Sequence, residues 1–162
     1  MPRGTARDRA LGLLAVRWRS REEIRRRLRS AGYDPGEIDP VLDDLERVGL
    51  IEDERFAREM VRDQAGRRLA GGRAIRSALR AKGVAPDLVE RALSDAGEEA
   101  ERAKALASRR VARMANLPPE AAYRRLFGLL VRRGYDSAVA REACREALSA
   151  VLEDAETIEE SP

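Results

Sequence analysis

The sequence predicts an all-α protein of three tandem three-helix repeats, helix-turn-helix-like in outline, forming an elongated, curved body. Three observations predict it. The phrase "LRSAGYD" at 28–34 returns as "LRAKGVA" at 79–85 and as "LVRRGYD" at 130–136, so Gly32, Gly83 and Gly134 recur every 51 residues. A fixed interval of that size marks one small unit used several times. Apolar residues also keep helical spacing in each copy, at i and i+4 before the glycine and at i, i+3, i+4 and i+7 after it. Finally, Ala and Arg dominate while aromatic residues make up 4%, a balance that favours helix over strand.

Each repeat is justified element by element. In the first, residues 7–50, a helix near 7–17 places Leu11, Leu14 and Trp18 on one face. Ser20 to Glu23 then reads as a capping box that opens the middle helix. Gly32 stops that helix, because glycine enters the left-handed conformation without a Cβ clash. Asp34, Pro35 and Glu37 restart the chain as N-cap, first helical residue and capping-box partner. Pro40 conflicts with this start. Either Asp39-Pro40 restarts the helix, or its first turn is kinked.

In the second repeat, residues 51–98, the first helix carries Phe56, Met60 and Val61, and the corner at Ala85-Pro86 keeps the proline but loses the cap. "AGGRA" at 70–74 reads as a flexible joint before a helix starting near Arg73. In the third repeat, residues 99–152, Ala103, Leu106, Val111 and Met114 form the first apolar face. Pro118-Pro119 opens the next helix, and Asp136 supplies the last cap. The core follows the period: Ile24, Ile75 and Leu126; Leu28, Leu79 and Leu130; Ile38, Val89 and Ala140; Leu42, Leu93 and Cys144; Leu45, Ala96 and Ala147. Residues 1–6 read as an N-terminal tail and 153–162 as an acidic, frayed C-terminal tail. A fifty-residue unit is marginal alone, so stacked copies sharing interfaces are expected.

Charge is banded. Residues 1–33 hold ten Arg against three acids, and residues 34–63 hold four Arg against eleven acids. The alternation continues to the C-terminus, basic before each glycine and acidic after it, for a net charge of +3. Helix dipoles account for part of it, since cations suit last turns and anions suit first turns. They do not account for the matched positions Arg25 and Arg76, Arg29 and Arg80, and Arg73 and Arg124. Aligned arginines suit a phosphate backbone or an acidic protein surface. The candidate partner- or DNA-binding residues are Arg25, Arg26, Arg29, Arg67, Arg68, Arg73, Arg76, Arg80, Lys82, Arg124, Arg125, Arg132 and Arg133.

Helix, tight turn and helix is also the outline of a direct DNA reader, which stands as the alternative. The chain offers one Asn and one Gln for adenine edges, so base reading is poorly equipped. Tyr33 and Tyr135, each beside a helix-ending glycine, read as hydrophobic closures rather than base-stacking platforms.

Catalytic chemistry is sparse. The chain has no His, which removes the commonest neutral-pH general base and metal ligand. Cys144 falls on a core position and reads as a small buried hydrophobe. No Gly-rich phosphate loop is present. Asp43-Asp44 and Asp53-Glu54 are carboxylate pairs, read as solvated surface rather than a metal site. A non-enzyme with no cofactor is expected. A single Cys removes any internal disulfide framework. No run of about 18 apolar residues occurs, so no membrane span is expected. The N-terminal stretch reads as mature protein, and the cytoplasm is the expected compartment.

Taken together, Gly32-Tyr33, Ile38, Gly49-Leu50-Ile51, Asp53, Phe56-Ala57, Arg68, Gly72, Ile75, Leu79 and Lys82-Gly83 form a pattern. It resembles the RecX family of bacterial recombination regulators over about 140 residues. In the third copy, Arg25 and Arg29 are replaced by Phe127 and Val131. The resemblance implies an all-helical protein of tandem three-helix repeats. It implies a protein that lodges in the groove of the RecA–DNA filament and inhibits RecA ATPase, strand exchange and coprotease activity; a monomer is expected. The resemblance also implies free DNA as a second, weaker partner.

Overall fold

The structure, a computed structural model, describes the backbone of residues 4–159 and the side chains of residues 4–151. Among them are nine α-helices, a π-helical turn and a 3-10 turn, and no strand. Helices α1 (Ala6–Val16), α2 (Arg21–Ser30) and α3 (Pro35–Arg47) form the first triplet. Then come α4 (Asp53–Val61), the π-helical turn Arg62–Arg67, α5 (Gly72–Ala81) and α6 (Pro86–Ser94). The last triplet is α7 (Glu99–Val111), the 3-10 turn Ala112–Met114, α8 (Pro119–Arg132) and α9 (Ser137–Glu159). The described residues divide into two compact units. One holds those up to Met60 together with Ser77–Asp95, and the other holds Val61–Arg76 together with those from Ala96 onward.

The repeated phrase is one hydrogen-bonded motif made three times. Gly32, Gly83 and Gly134 have φ of 89°, 74° and 92°. The amide of the following residue donates back to the helix in each copy: Tyr33 to Leu28, Val84 to Leu79 and Tyr135 to Leu130, all at 3.2 Å. The glycine amides donate to Arg29, Arg80 and Val131. This is a Schellman cap, which satisfies the last carbonyls of the helix and turns the chain toward the next one.

Two capping boxes read in the sequence, Ser20 with Glu23 and Asp34 with Glu37, start α2 and α3. A third, Thr5 with Asp8, which sequence reading missed, starts α1. Helix α6 starts at Pro86 after Ala85, with no side-chain cap. In α9, the Asp136 carboxylate accepts from the Ala138 amide at 2.8 Å. Pro40 lies inside α3, whose start is therefore Pro35. The proline deprives the Gly36 carbonyl of its helical donor, but Gly36 is exposed and water can serve there.

In the first unit, the core joins Ala6, Ala10, Ile24, Leu28, Tyr33, Ile38, Leu42, Leu45 and Ile51. In the second unit, the last triplet buries Ala103, Leu106, Val111, Met114, Leu126, Leu130, Tyr135, Ala140, Cys144 and Ala147. Each fully buried Leu or Ile contributes about 1.5–3 kcal/mol over leaving it in water.

Four expectations need correction. The buried face of α1 is Ala6 and Ala10, while Leu11 and Trp18 are 36% and 39% exposed. Small residues four apart let α1 lie close on its neighbours, and Trp18 instead stacks against the Arg55 guanidinium, 4.2 Å from its ring centroid. Leu93 and Ala96 are partly buried; Ala96 falls beyond the end of the short α6. Gly71 and Gly72 are buried rather than a loose joint. Gly71 donates to the Arg133 carbonyl at 2.9 Å, and a Cβ on it would collide with the Gly134 backbone. Finally, α9 continues as helix to Glu159, through the stretch read as frayed. Glu153, Ala155, Glu156 and Glu159 are good helix formers, so local propensity carries the helix past the repeat. Of the two terminal tails, residues 1–3 and 160–162 lie outside the described residues.

Candidate partner- and DNA-binding surface

The candidate cations fall into both units, and their neighbours treat them differently. In the first unit, α2 presents four arginines in its last two turns. Arg25 is held on two sides, by Glu22 at 2.9 Å and Asp39 at 3.2 Å, and its side chain is 24% exposed. Arg26 pairs with Glu22 at 3.0 Å and donates to the Ala81 carbonyl at 2.8 Å. Arg29 and Arg80 are exposed and have no carboxylate partner among the described residues. Lys82 reaches Glu23 at 2.8 Å.

These contacts converge on the capping box of α2. Ser20 is fully buried; its hydroxyl accepts from the Glu23 amide and donates to the Lys82 carbonyl at 2.5 Å. One serine thus caps α2 and secures the corner between α5 and α6. Burial would raise the pKa of Glu23, but hydrogen bonds from Arg17 and Lys82 outweigh it and hold the carboxyl at about 2. Glu23 of this knot, with Arg26, Arg27, Ser30, Ala81 and Lys82, lines a hollow. Arg27 is exposed and was not singled out in the sequence.

In the second unit three of the cations are freer. Arg124, Arg125 and Arg132 on α8 are exposed, with no carboxylate partner among the described residues. Arg73 donates to the Val131 carbonyl at 3.0 Å, which ties the start of α5 to the end of α8. Arg76 is half-buried on α5. Arg67 and Arg68 sit 3.7 Å and 3.5 Å from Asp63 at the end of the π-helical turn. Arg133 donates to the Arg68 carbonyl at 2.8 Å.

The structure brings Arg67, Arg68 and Arg133 together with Arg109 and Arg110 of α7 around a hollow of about 400 Å³. Its other lining residues are Leu69 and Leu106. Sequence reading missed Arg109 and Arg110. The available signal was the adjacent pair in "SRRVARM", in a segment with nine cations and one acid, but the period assigns them no partner position.

The hollow is built on a constrained backbone. Leu69 has φ of +47°, a left-handed conformation rare for a residue with a side chain. The buried Tyr135 hydroxyl donates to the Leu69 carbonyl at 2.6 Å, and the Ala70 amide donates to Gln64. Tyr135 therefore closes the core and pins the loop; Tyr33 repeats the closure, with its hydroxyl on the Gly4 carbonyl at 3.1 Å.

Groups suited to other chemistry are occupied. Asp44 is held by Arg7 and Arg47, and Asp43 by Arg21. Glu54 pairs with Arg58, and Asp53 accepts from the Arg21 amide. Cys144 is buried, and burial pushes its thiol up to about 11, so thiolate chemistry is suppressed at neutral pH. Among the described residues no helix is long and apolar enough to cross a membrane.

Comparison with known proteins gives a consistent result. Residues 6–45 match the family model described as RecX, first three-helix domain; residues 53–93 match the second and 97–144 the third. A Regulatory protein RecX from Corynebacterium efficiens is 41% identical over 155 residues, covering 91% of this chain and 74% of the relative. One from Amycolatopsis mediterranei is 33% identical, covering 93% and 90%. The crystal structure of RecX from Lactobacillus salivarius superposes with a TM-score of 0.79 at 22% identity, covering 88% of this chain and 94% of that one. A second, titled crystal structure of regulatory protein RecX, gives 0.75 at 27% identity, with 85% and 70% covered.

Proposed function

This chain belongs to the RecX family of regulatory proteins, and from that premise we propose that it regulates homologous recombination and DNA repair by binding, not by catalysis. Its partner is the RecA–DNA filament, whose groove it enters. Its effect is to inhibit RecA ATPase, strand exchange and coprotease activity in the cytoplasm.

The observation that carries this reading is the pool of uncommitted guanidinium groups on family-matched helices. Arg29 and Arg80 in the first unit, and Arg124, Arg125 and Arg132 in the second, are exposed without carboxylate partners among the described residues. Each is a planar donor fork available to an acidic protein surface or to phosphate. Several weak contacts made by one body gain from effective concentration, so high affinity needs no deep pocket. The non-catalytic reading draws on the absence of His and on the buried, high-pKa Cys144.

The test is RecA-dependent ATP hydrolysis on single-stranded DNA, with and without the protein. Dose-dependent inhibition at or below stoichiometric amounts is expected. Unchanged hydrolysis and unchanged filament length would refute it. Tight binding to one defined duplex site without RecA would transfer the assignment to a direct DNA reader.

A further inference from the structure

We infer that the arginine hollow of the second unit is a nucleic-acid subsite, in which Arg67, Arg68, Arg109, Arg110 and Arg133 grip the phosphates of a single strand without reading its bases. This rests on the functional reading only in supplying DNA as a partner; the site itself is argued from its chemistry. Nothing in the matched family models or relatives' names assigns it.

The argument begins with charge. Five arginines line one hollow of about 400 Å³, and no acidic residue lines it with them. Asp63 faces two of the five, at 3.7 Å and 3.5 Å, beyond a charge-assisted hydrogen bond. Such a group of like charges is costly while empty and is relieved by an anion. It asks for more than one negative charge. A nucleic-acid strand delivers one per nucleotide along a continuous chain.

Geometry adds pre-organisation. Arg133 is anchored to the Arg68 carbonyl, so one of the five side chains is tied to the backbone segment that carries Arg67 and Arg68. That segment is fixed in turn by the left-handed Leu69 and by the buried Tyr135 hydroxyl. Arg109 and Arg110 project from the last turn of α7. Donors held in place before binding lose less freedom when the ligand arrives.

The lining also says what is not recognised. Leu69 and Leu106 are its apolar residues, and it contains no aromatic ring, Asn or Gln. Stacking platforms and bidentate base readers are therefore missing, and contacts to phosphate alone carry no sequence information. An acidic protein segment offers carboxylates in place of phosphates and is the outcome to be excluded.

The experiment uses the full chain and fluorescently labelled oligothymidylate of about twenty nucleotides, followed by anisotropy across a salt series. In Arg109→Gln/Arg110→Gln, with helical circular dichroism unchanged, affinity should fall about tenfold near 0.1 M salt. The log–log salt slope should shrink by about 1.4, or about 0.7 for each phosphate no longer neutralised. Arg109→Lys/Arg110→Lys should keep the slope, because charge is retained. Oligocytidylate should bind the parent protein as oligothymidylate does.

An unchanged affinity and slope in the glutamine variant would overturn the proposal. So would polyglutamate competing as well as oligothymidylate at equal charge, or a strong preference for one base. RecA ATPase inhibition by the parent protein is measured alongside. Its absence with a DNA defect in the variant removes the functional reading and keeps the site. Its presence without a DNA defect does the reverse.

Discussion

The first and last triplets share one template and put it to different uses. Both end their middle helix in a glycine Schellman cap, and both follow it with a tyrosine whose hydroxyl seeks a backbone carbonyl. In the first, the acidic α3 consumes the basic helices beside it: Arg7 pairs with Asp44, Arg21 with Asp43 and Glu46, and Arg25 with Asp39. In the last, Arg109, Arg110, Arg124, Arg125 and Arg132 have no such partner among the described residues. The same banding in sequence is thus internal neutralisation in one region and an open electrostatic surface in the other.

The largest test of this contrast concerns the matched glycines. A Cβ on Gly32 meets open space, so Gly32→Ala should cost the left-handed strain alone, about 1–2 kcal/mol. A Cβ on Gly134 would strike the Ala74 backbone, adding about 1–3 kcal/mol of overpacking to that strain. Urea denaturation of both variants measures the difference, and equal costs would erase it.

Acid comes next. Asp8, Glu22, Glu23 and Asp44, all in the first unit, have depressed carboxyl pKa values. For Glu23 the folded value of about 2 lies below the ordinary 4.5. Its contribution, of order 3 kcal/mol, is therefore full above about pH 5 and lost as pH falls toward 2. Asp53, raised by burial, works in the opposite sense and softens the loss. Trp18, the single tryptophan, lies in that unit and reports it. Its fluorescence should change at higher pH than the amide hydrogen-exchange protection of α8 in the other unit.

The tyrosines give a smaller effect. Tyr135→Phe strands the Leu69 carbonyl in a buried setting and should cost about 1–3 kcal/mol. Tyr33→Phe gives up a longer bond to Gly4 and should cost about 0.5–1.5 kcal/mol. The smallest effect is the most diagnostic. Arg25→Gln should lose under about 1 kcal/mol of stability. Arg125→Gln should leave stability within about 0.5 kcal/mol. If the contrast holds, the salt dependence of DNA binding moves with Arg125→Gln and not with Arg25→Gln.

Helix ends were the most legible feature of the sequence. Glycine, proline and capping residues act locally, so Ser20, Pro35, Pro86 and Pro119 mark helix starts directly. The repeat also located the core, because period-equivalent positions face the same way. What sequence did not give was pairing. Arg25 and Arg29 look alike on α2, yet Asp39 on another helix reaches one, and among the described residues no carboxylate reaches the other. Arg109 and Arg110 join Arg67 and Arg68 through a chain reversal that no periodicity encodes. Gly71 was misread for the same reason: its constraint is the backbone of Gly134, 63 residues later.

The buried Ser20 hydroxyl on the Lys82 carbonyl has a consequence for how the molecule is made. Residues up to Met60 belong with Ser77–Asp95, while the stretch between them belongs elsewhere. A nascent chain therefore cannot finish its first half in order of synthesis. Ser20 and Glu23 must wait on the ribosome for a partner translated some sixty codons later. A gene cut after Met60 would leave that serine without the Lys82 carbonyl, and no single cleavage separates the two units.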